Sequence, residues 1–272
     1  MIPYETELAA WRQQRLAALV APDGWLSVVG LHWLNKGPNR LGSDEGNDLV
    51  VPQLPQRAGT VTLQANGEIV ADLDPNAGAT VDGQPIGQAR LHSDADAAGP
   101  TLVGFGDVTL HVIARAGDKA LRIRDANSPA RLHFAAIKHF PVDPCWRIAA
   151  HWEPLETPRS FEIESMAGGS NIVSVSHKAV FEVGGQMLEL LPTHGSATAP
   201  MFVLRDGTSG HQTYGACRFL VGEVQGDNVL LDFNKAINPP CAFTPFATCP
   251  LPPPANILPI SSPVGELAPA GY

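Results

Sequence analysis

The stretch GTVTLQANGEIVADL, residues 59–73, decides the fold class of this chain. Apolar and polar residues alternate on both sides of Asn66-Gly67, and a period of two is typical of strands that bury one face. An Asn-Gly pair between two alternating runs is a strong hairpin signal. The sequence therefore predicts two antiparallel strands here.

Neighbouring segments repeat this pattern. Alternation returns at residues 79–87 and 107–125, with turns at Asp82-Gly83 and Ala116-Gly117-Asp118. No helical period separates these strands, and short strands at such a spacing are typical of a β-sandwich. Residues 160–234 contain further short apolar or alternating runs, which predict a second β-rich domain that is either a barrel or a sandwich.

The N-terminal residues differ from the rest of the chain. Apolar positions at Leu8, Trp11, Leu16 and Leu19 predict a helix over residues 4–20, which Pro22-Asp23-Gly24 ends. The apolar segment that follows, at 24–34, is expected to be buried. The predicted fold is mainly β, in three parts: residues 1–37 (helix and apolar segment), 38–120 (β-sandwich) and 121–272 (second β-rich domain).

Composition and charge limit the class of partner. Of the 272 residues, 44% are hydrophobic and 17% charged, and the formal net charge is −9. A globular, acidic chain without a Lys/Arg run repels phosphate backbones, so we expect no nucleic-acid partner and no anionic membrane. Charged residues interrupt the N-terminus, so it lacks the apolar core of a signal peptide. We therefore expect a cytoplasmic protein.

No cofactor or metal motif is recognisable. The nine histidines form no HxH or HExxH pattern. A Walker loop, a GxSxG elbow and Rossmann glycines are absent from the sequence. We expect no cofactor and no bound metal.

The C-terminal stretch NPPCAFTPFATCPLPPPAN, residues 238–256, contains seven prolines. They exclude a helix or a central strand and stiffen the chain. We expect this proline-rich ribbon to close one end of the second domain and to hold Asn234, Asn238 and Cys241 in fixed positions. Cys241 and Cys249 are buried structural thiols, a disulfide, or a pair with one reactive member, and the sequence leaves these alternatives open.

A polar cluster is expected beside the ribbon. If strands 212–222 and 228–234 pair antiparallel, Arg218 faces Asp232, with Asp206 and Tyr214 nearby. The alternative is structural: Asp206 caps a turn through local hydrogen bonds, and Tyr214 packs with its hydroxyl bonded.

Two functions fit this cluster. The favoured one is a binding module for a small polar or anionic ligand. The alternative is a hydrolase with Asp206 or Asp232 as general base and Tyr214 as a further catalytic candidate. Aspartates sealed inside and paired with arginine would argue against the hydrolase. The residues predicted to bind the ligand are Arg122, Arg131, Thr213, Tyr214, Arg218, Asn234 and Asn238.

Residues 38–114 resemble a forkhead-associated domain, a β-sandwich that binds phosphopeptides. The resemblance rests on Leu41-Gly42-Ser43, Asn47-Asp48-Leu49-Val50-Val51, Asp72-Leu73-Asp74, residues 76–83 and Gly104. Such domains carry an arginine where Ser43 stands, and a histidine in the loop that reads LPQRAGTV here. Because a bound phosphate needs charge-assisted donors, these departures predict that phosphopeptide binding is lost.

The chain as a whole resembles a bacterial and archaeal family known as domain of unknown function 1684. The residues that carry the resemblance are GWLSVVGLHWL at 24–34, RIRDANSPAR at 122–131, HFPVD at 139–143, RDGTSGHQTYGACRFL at 205–220, residues 231–256, and Gly265-Glu266. The family implies no established activity. Two positions depart from its pattern: Leu267 replaces a usual lysine, and Cys217 replaces a small residue.

Overall fold

The structure is a computed structural model that describes residues 3–166 and 168–269. It is mainly β with helix α1 (Tyr4–Val20) at the N-terminus, so the predicted fold class is confirmed. A second helix, α2 (Pro129–Leu132), has four residues. In the described part of the chain, neither helix has the length and apolar character needed to cross a membrane.

The chain divides into two compact units. The sandwich unit is Ala17–Phe134. The C-terminal unit combines the described residues up to Leu16 with those from Ala135 onward.

Eleven strands build the sandwich unit, and the hairpin predicted at residues 59–73 is among them. They are β1 (Val28–Trp33), β2 (Gly37–Gly42), β3 (Leu49–Val50), β4 (Gly59–Leu63), β5 (Ile69–Leu73), β6 (Thr80–Val81), β7 (Gln84–Pro85), β8 (Gln88–Arg90), β9 (Val103–Phe105), β10 (Val108–Arg115) and β11 (Asp118–Asp125).

These strands form two sheets around one core. The six-stranded sheet has the order β1-β11-β10-β9-β6-β7, and the five-stranded sheet has the order β3-β2-β4-β5-β8. Val61 and Ala71 from one sheet and Leu110 and Leu121 from the other lie in the same buried cluster. Strand β1 pairs with β11, and β11 itself crosses residue 120. The unit therefore begins before and ends after the segment 38–120.

Eight strands build the C-terminal unit. They are β12 (Arg147–Glu164), β13 (Ser170–Val183), β14 (Gln186–Leu190), β15 (His194–Gly195), β16 (Pro200–Leu204), β17 (Arg218–Val221), β18 (Glu223–Gln225) and β19 (Asn228–Asp232).

They form a five-stranded sheet, β14-β13-β12-β19-β18, and a three-stranded sheet, β15-β16-β17. Neither sheet closes on itself among the described residues. Phe181 and Leu231 from the larger sheet share a core with Phe202 and Leu220 from the smaller one. The ribbon forms two 3₁₀ turns, Pro240–Ala242 and Pro254–Asn256. Its Asn256 side chain bonds the backbone of Leu191, which follows β14 of the larger sheet, at 2.8 Å in both directions. The same side chain donates to the Val203 carbonyl on β16 at 2.8 Å, so the ribbon is anchored to both sheets.

One predicted strand pairing is wrong. Strand β17 pairs with β16, and Leu204 lies opposite Arg218. The partner of β19 on that side is β18, which follows β17 after Gly222. A Cβ at Gly222 would lie 2.6 Å from Val229, so a glycine fits where the chain passes from one sheet to the other. Arg218 therefore does not face Asp232.

Candidate functional site

Two of the predicted ligand residues belong to the sandwich unit. Arg122 lies on β11, 4% exposed, with its guanidinium carbon 4.9 Å from the centroid of the Trp25 ring. Arg131 donates to the carbonyls of Val20 and Ala126 at 2.7 and 2.6 Å. The other five predicted ligand residues belong to the C-terminal unit.

Arg218 and Asp206 form an ion pair with both side chains fully buried. Ser262 contacts both members, and the Arg218 guanidinium also donates to the Val264 carbonyl at 2.8 Å. The other Asp206 oxygen accepts the backbone N–H of Thr208 at 2.7 Å. Burial lowers the pKa of Arg218, and Asp206 opposes that shift. The pair thus holds Ser262 and Val264 of the C-terminal segment against the three-stranded sheet. Because both charged side chains are fully buried, a substrate cannot reach them.

Thr213, Tyr214 and Asn234 are also engaged locally. The hydroxyls of Thr213 and Thr208 lie 2.9 Å apart, and the Tyr214 hydroxyl donates to the Cys241 carbonyl at 3.2 Å. The Asn234 amide bonds the backbone of Asp143 in both directions, at 3.0 and 2.9 Å. For Asp206 and Tyr214, this geometry agrees with the structural alternative.

Asp232 meets helix α1 instead of Arg218. The Tyr4 hydroxyl lies 2.9 Å from each Asp232 carboxylate oxygen and donates to this group. Two cations lie further off: the Arg147 Nε at 4.0 Å and the Lys235 Nζ at 3.9 Å. Burial raises the pKa of Tyr4, and the hydrogen bond to Asp232 adds to the rise. Tyr4 therefore stays a protonated donor.

Arg15 lies on the same face of α1 as Tyr4, about three turns further along the helix, and holds Glu266. The Arg15 Nε lies 3.0 Å from Glu266 Oε1, and the Asn238 N–H donates to Oε2 at 2.7 Å. The Glu266 side chain is fully buried, and burial raises its pKa more than Arg15 lowers it. Gly265 has a φ of 83°, and a Cβ there would lie 2.6 Å from the Ala236 carbonyl oxygen. Only glycine fits here without displacing neighbouring atoms, so the backbone next to Glu266 is held in one position.

Arg12 lies on α1 between Tyr4 and Arg15, and its guanidinium has hydrogen-bond donors that no described residue accepts. Its Nε and Nη2 are buried without a hydrogen-bond partner among the described residues, and so are His139 Nε2 and Asn238 Oδ1. Burial lowers the pKa of Arg12, while Tyr4, Asp232 and Glu266 favour its charge. Burial, with the charge of Arg12, lowers the pKa of His139 to about 4, so that His139 is neutral at pH 7.

We define the α1 site as the group of side chains that these contacts bring together in the C-terminal unit. Its members are Tyr4, Arg12, Arg15, His139, Asp232, Asn238 and Glu266. Sequence reasoning predicted the helix and found Asp232 and Asn238, but it did not assign Tyr4, Arg12 and Arg15 to the site. The missed signal is the spacing of Tyr4, Leu8, Arg12 and Arg15, which places four side chains on one helical face.

A concave surface of about 320 Å³ lies elsewhere on the same unit. Trp152 and His177 stack in it, with ring centroids 5.2 Å apart and planes inclined by 11°. No ion pair or unsatisfied buried group of the described residues lies among its lining side chains. The α1 site, which contains both kinds of group, is therefore the better candidate for a binding site. Nowhere in residues 3–166 and 168–269 do three His, Cys, Asp or Glu side chains converge on a possible metal position.

Fold and site together define a mainly β protein in which an N-terminal helix covers a buried, charged cluster of the C-terminal unit. The chain belongs to the family described as "Protein of unknown function (DUF1684)", whose model matches residues 132–267, half of the chain. This family membership agrees with the resemblance seen in the sequence.

Among solved structures, the chain is similar to an uncharacterised protein of Haloarcula marismortui determined by solution NMR. The two are 27% identical, the match covers 52% of this chain and 81% of that one, and the TM-score is 0.43. No curated protein matches the chain.

Proposed function

We propose that the C-terminal unit binds one small anionic ligand at the α1 site, with Arg12 as the anchoring cation. The single observation that carries this proposal is the buried Nε and Nη2 edge of Arg12, which has no partner among the described residues. Buried polar groups are satisfied in the great majority of proteins. The Nε–Nη2 edge of a guanidinium matches the two oxygens of a carboxylate or phosphate.

The charges around Arg12 favour a ligand that carries a single negative charge. Arg15 is paired with Glu266, and Lys235 with Glu7 at 2.9 Å. Asp232 has Tyr4 as its donor and two cations near 4 Å. Among the described residues, no carboxylate oxygen lies within 4.0 Å of Arg12. A monoanion would therefore compensate the remaining charge.

The neutral members of the site favour a ligand that also donates a hydrogen bond. Asn238 Oδ1 can only accept, because it is a carbonyl oxygen. His139 is neutral at pH 7 and can accept or donate according to its tautomer. A carboxylate with an adjacent hydroxyl or amide N–H would satisfy Arg12 and Asn238 together.

A thermal-shift titration tests this proposal. Wild-type protein is melted with acetate, a 2-hydroxycarboxylate, phosphate and, for ionic strength, chloride. We expect saturable stabilisation, largest for the hydroxycarboxylate, lost in Arg12→Gln and partly retained in Arg12→Lys. The matched control is Arg159→Gln, an exposed arginine on β12 that should respond as wild type does. Equal responses of Arg12→Gln and wild type would refute the assignment.

The hydrolase alternative has weaker support. Asp206 is sealed and paired with Arg218, which is the arrangement that argues against a general base. Asp232 is 7% exposed and lies beside Tyr4, so it is the remaining candidate. Ester and amide turnover that is lost in Asp232→Asn while the fold is retained would favour the hydrolase over simple binding.

Three further assignments stay proposals. We propose that residues 38–120 derive from a forkhead-associated-like sandwich without phosphopeptide binding. The two-sheet core supports this, as does Arg40, whose guanidinium is engaged by Asp48 at 3.0 Å. We also propose a cytoplasmic location, supported by the four cysteines, none of which forms a disulfide in the described part of the chain. We also propose, from the sequence, the division into residues 1–37 (helix and apolar segment), 38–120 (sandwich) and 121–272 (β-rich domain with most of the family motifs).

A further inference from the structure

The proline-rich ribbon brings two cysteines together outside the α1 site. The Cys241 N–H points to Cys249 Sγ at 3.2 Å. The two residues are 6% and 4% exposed, and neither is in a disulfide. A third buried cysteine, Cys217, directs its thiol to the Pro250 carbonyl at 3.7 Å.

The ribbon holds both cysteines from several sides. Cys241 lies in the 3₁₀ turn Pro240–Ala242, which the Thr244 N–H to Pro240 carbonyl bond of 3.1 Å extends. The Cys249 carbonyl accepts the Met166 N–H at 2.9 Å, and the Leu251 N–H donates to Glu164 at 2.8 Å. The contact between the Cys241 backbone and the Cys249 sulfur is therefore built into the fold, because the segments on both sides of it are fixed.

The two thiols differ chemically. Cys249 donates a hydrogen bond to the Cys241 sulfur, and this bond lowers the pKa of Cys241 against the effect of burial. The Tyr214 hydroxyl, which lies 3.2 Å from the Cys241 carbonyl oxygen, lowers the pKa of Cys241 further. The same thiol–thiol bond and burial raise the pKa of Cys249. Cys241 is thus the member stabilised as a thiolate, which is the nucleophilic form of cysteine.

We propose that Cys241 and Cys249 are a dithiol oxidation site for a small hydroperoxide, with Cys241 reacting first and Cys249 resolving. The Cys241 thiolate attacks one peroxide oxygen and the O–O bond breaks. The leaving oxygen takes a proton and departs as water or an alcohol, which leaves a sulfenic acid on Cys241.

Cys249 then attacks the sulfenic sulfur. The S–S bond forms, the S–O bond breaks, and the hydroxide leaves as water with the Cys249 proton. Two electrons pass from the dithiol to the peroxide. Because both side chains are almost sealed, we expect the site to react with an oxidant as small as hydrogen peroxide and to exclude a bulky disulfide such as oxidised glutathione.

Titration of the native full-length chain with hydrogen peroxide tests the proposal. We expect thiols counted after unfolding to fall from four to two per chain. Intact mass should show the loss of two hydrogens, and peptide mapping should show a Cys241–Cys249 link that dithiothreitol reverses. Oxidised glutathione should produce neither change.

Variants separate the roles of the two sulfurs. Cys249→Ser should trap a sulfenic acid on Cys241, detected as a dimedone adduct, and Cys241→Ser should give no adduct on Cys249. Cys217→Ser is the buried control, and the exposed Cys145 is an internal control for access. Tyr214→Phe tests a positioning role, because it should move the pH profile of Cys241 alkylation upward without changing the linked product.

Two results would overturn the proposal. One is oxidation of Cys145 or Cys217 ahead of Cys241 in the wild type. The other is recovery of four thiols after peroxide treatment that leaves the fold intact. Both are measured on unmodified protein, so they remain decisive if Cys249→Ser fails to fold.

Discussion

The replacement Asp206→Asn should destabilise the C-terminal unit severely. Asp206 accepts hydrogen bonds from Arg218, Ser262 and Thr208, and its side chain is fully buried. Asparagine has a single acceptor oxygen, so its N–H₂ group must face either the Arg218 guanidinium or the Thr208 N–H, both of which are donors. Removing one partner of a buried ion pair costs about 3–5 kcal/mol, because the other charge stays uncompensated. We expect a loss in that range.

A double-mutant cycle isolates the pair from other effects. Arg218→Met should also cost a few kcal/mol, since Asp206 would keep only neutral donors. The double variant should cost less than the sum of the single variants by about 1–3 kcal/mol, the usual size of a coupling between residues in contact. Asp227→Asn, on the exposed β18–β19 turn, is the control and should lie within about 0.5 kcal/mol of wild type.

Equilibrium urea unfolding followed by tryptophan fluorescence measures these losses. The chain has two compact units, so each transition is fitted separately. Additive costs, or a loss below about 1 kcal/mol for Asp206→Asn, would refute the reasoning that the pair stabilises the unit. A stable Asp206→Asn protein would also reopen the hydrolase assignment of Asp206.

The remaining predictions concern single groups. Burial lowers the pKa of His111 to about 4. The stability that the neutral imidazole contributes is therefore complete above about pH 6.5 and is lost as the pH falls toward 4. In thermal melts, the decrease in melting temperature from pH 7 to pH 5 should be smaller for His111→Phe than for wild type. Tyr4→Phe removes the donor to Asp232 and should cost about 1.5–3 kcal/mol in urea unfolding. Gly265→Ala should cost more than Gly210→Ala by circular dichroism melts, because both have φ near 82° but only Gly265 has a backbone oxygen within 2.6 Å of the new Cβ.

Alternation and turn chemistry were sufficient to predict the sandwich strands. Residues 59–73 form the hairpin β4–β5, and Ala116-Gly117 forms the turn of β10–β11, with Ala116 at a φ of 49°. A hairpin and its turn depend on residues that are close together in the sequence, so a local pattern is enough to predict them. Strand partners in the C-terminal unit depend on which sheet a strand joins. A short separation between Arg218 and Asp232 did not reveal that the chain changes sheets at Gly222.

The α1 site could not be assembled from local patterns. Tyr4 and Asp232 are 228 positions apart, and Arg15 and Glu266 are 251 apart. The apolar positions of the helix predict it from the sequence, but its charged residues carry no information on which distant residues they contact. The proline-rich ribbon indicated that Asn238 is fixed in place, but it carries no information on which helix side chains meet that residue.

Three arginines of the C-terminal unit illustrate why residue type alone cannot locate a site. Arg218 is fully buried and satisfied by Asp206, Ser262 and Val264 except at Nε, so its role is to stabilise the fold. Arg15 pairs with Glu266 and the Asn238 carbonyl. Arg12 has the same side chain and lies one helical turn from Arg15, yet two of its nitrogens are buried without a described partner. Desolvating those donors without compensation is unfavourable. A ligand that removes this penalty would therefore be favoured at Arg12, and at neither of the other two.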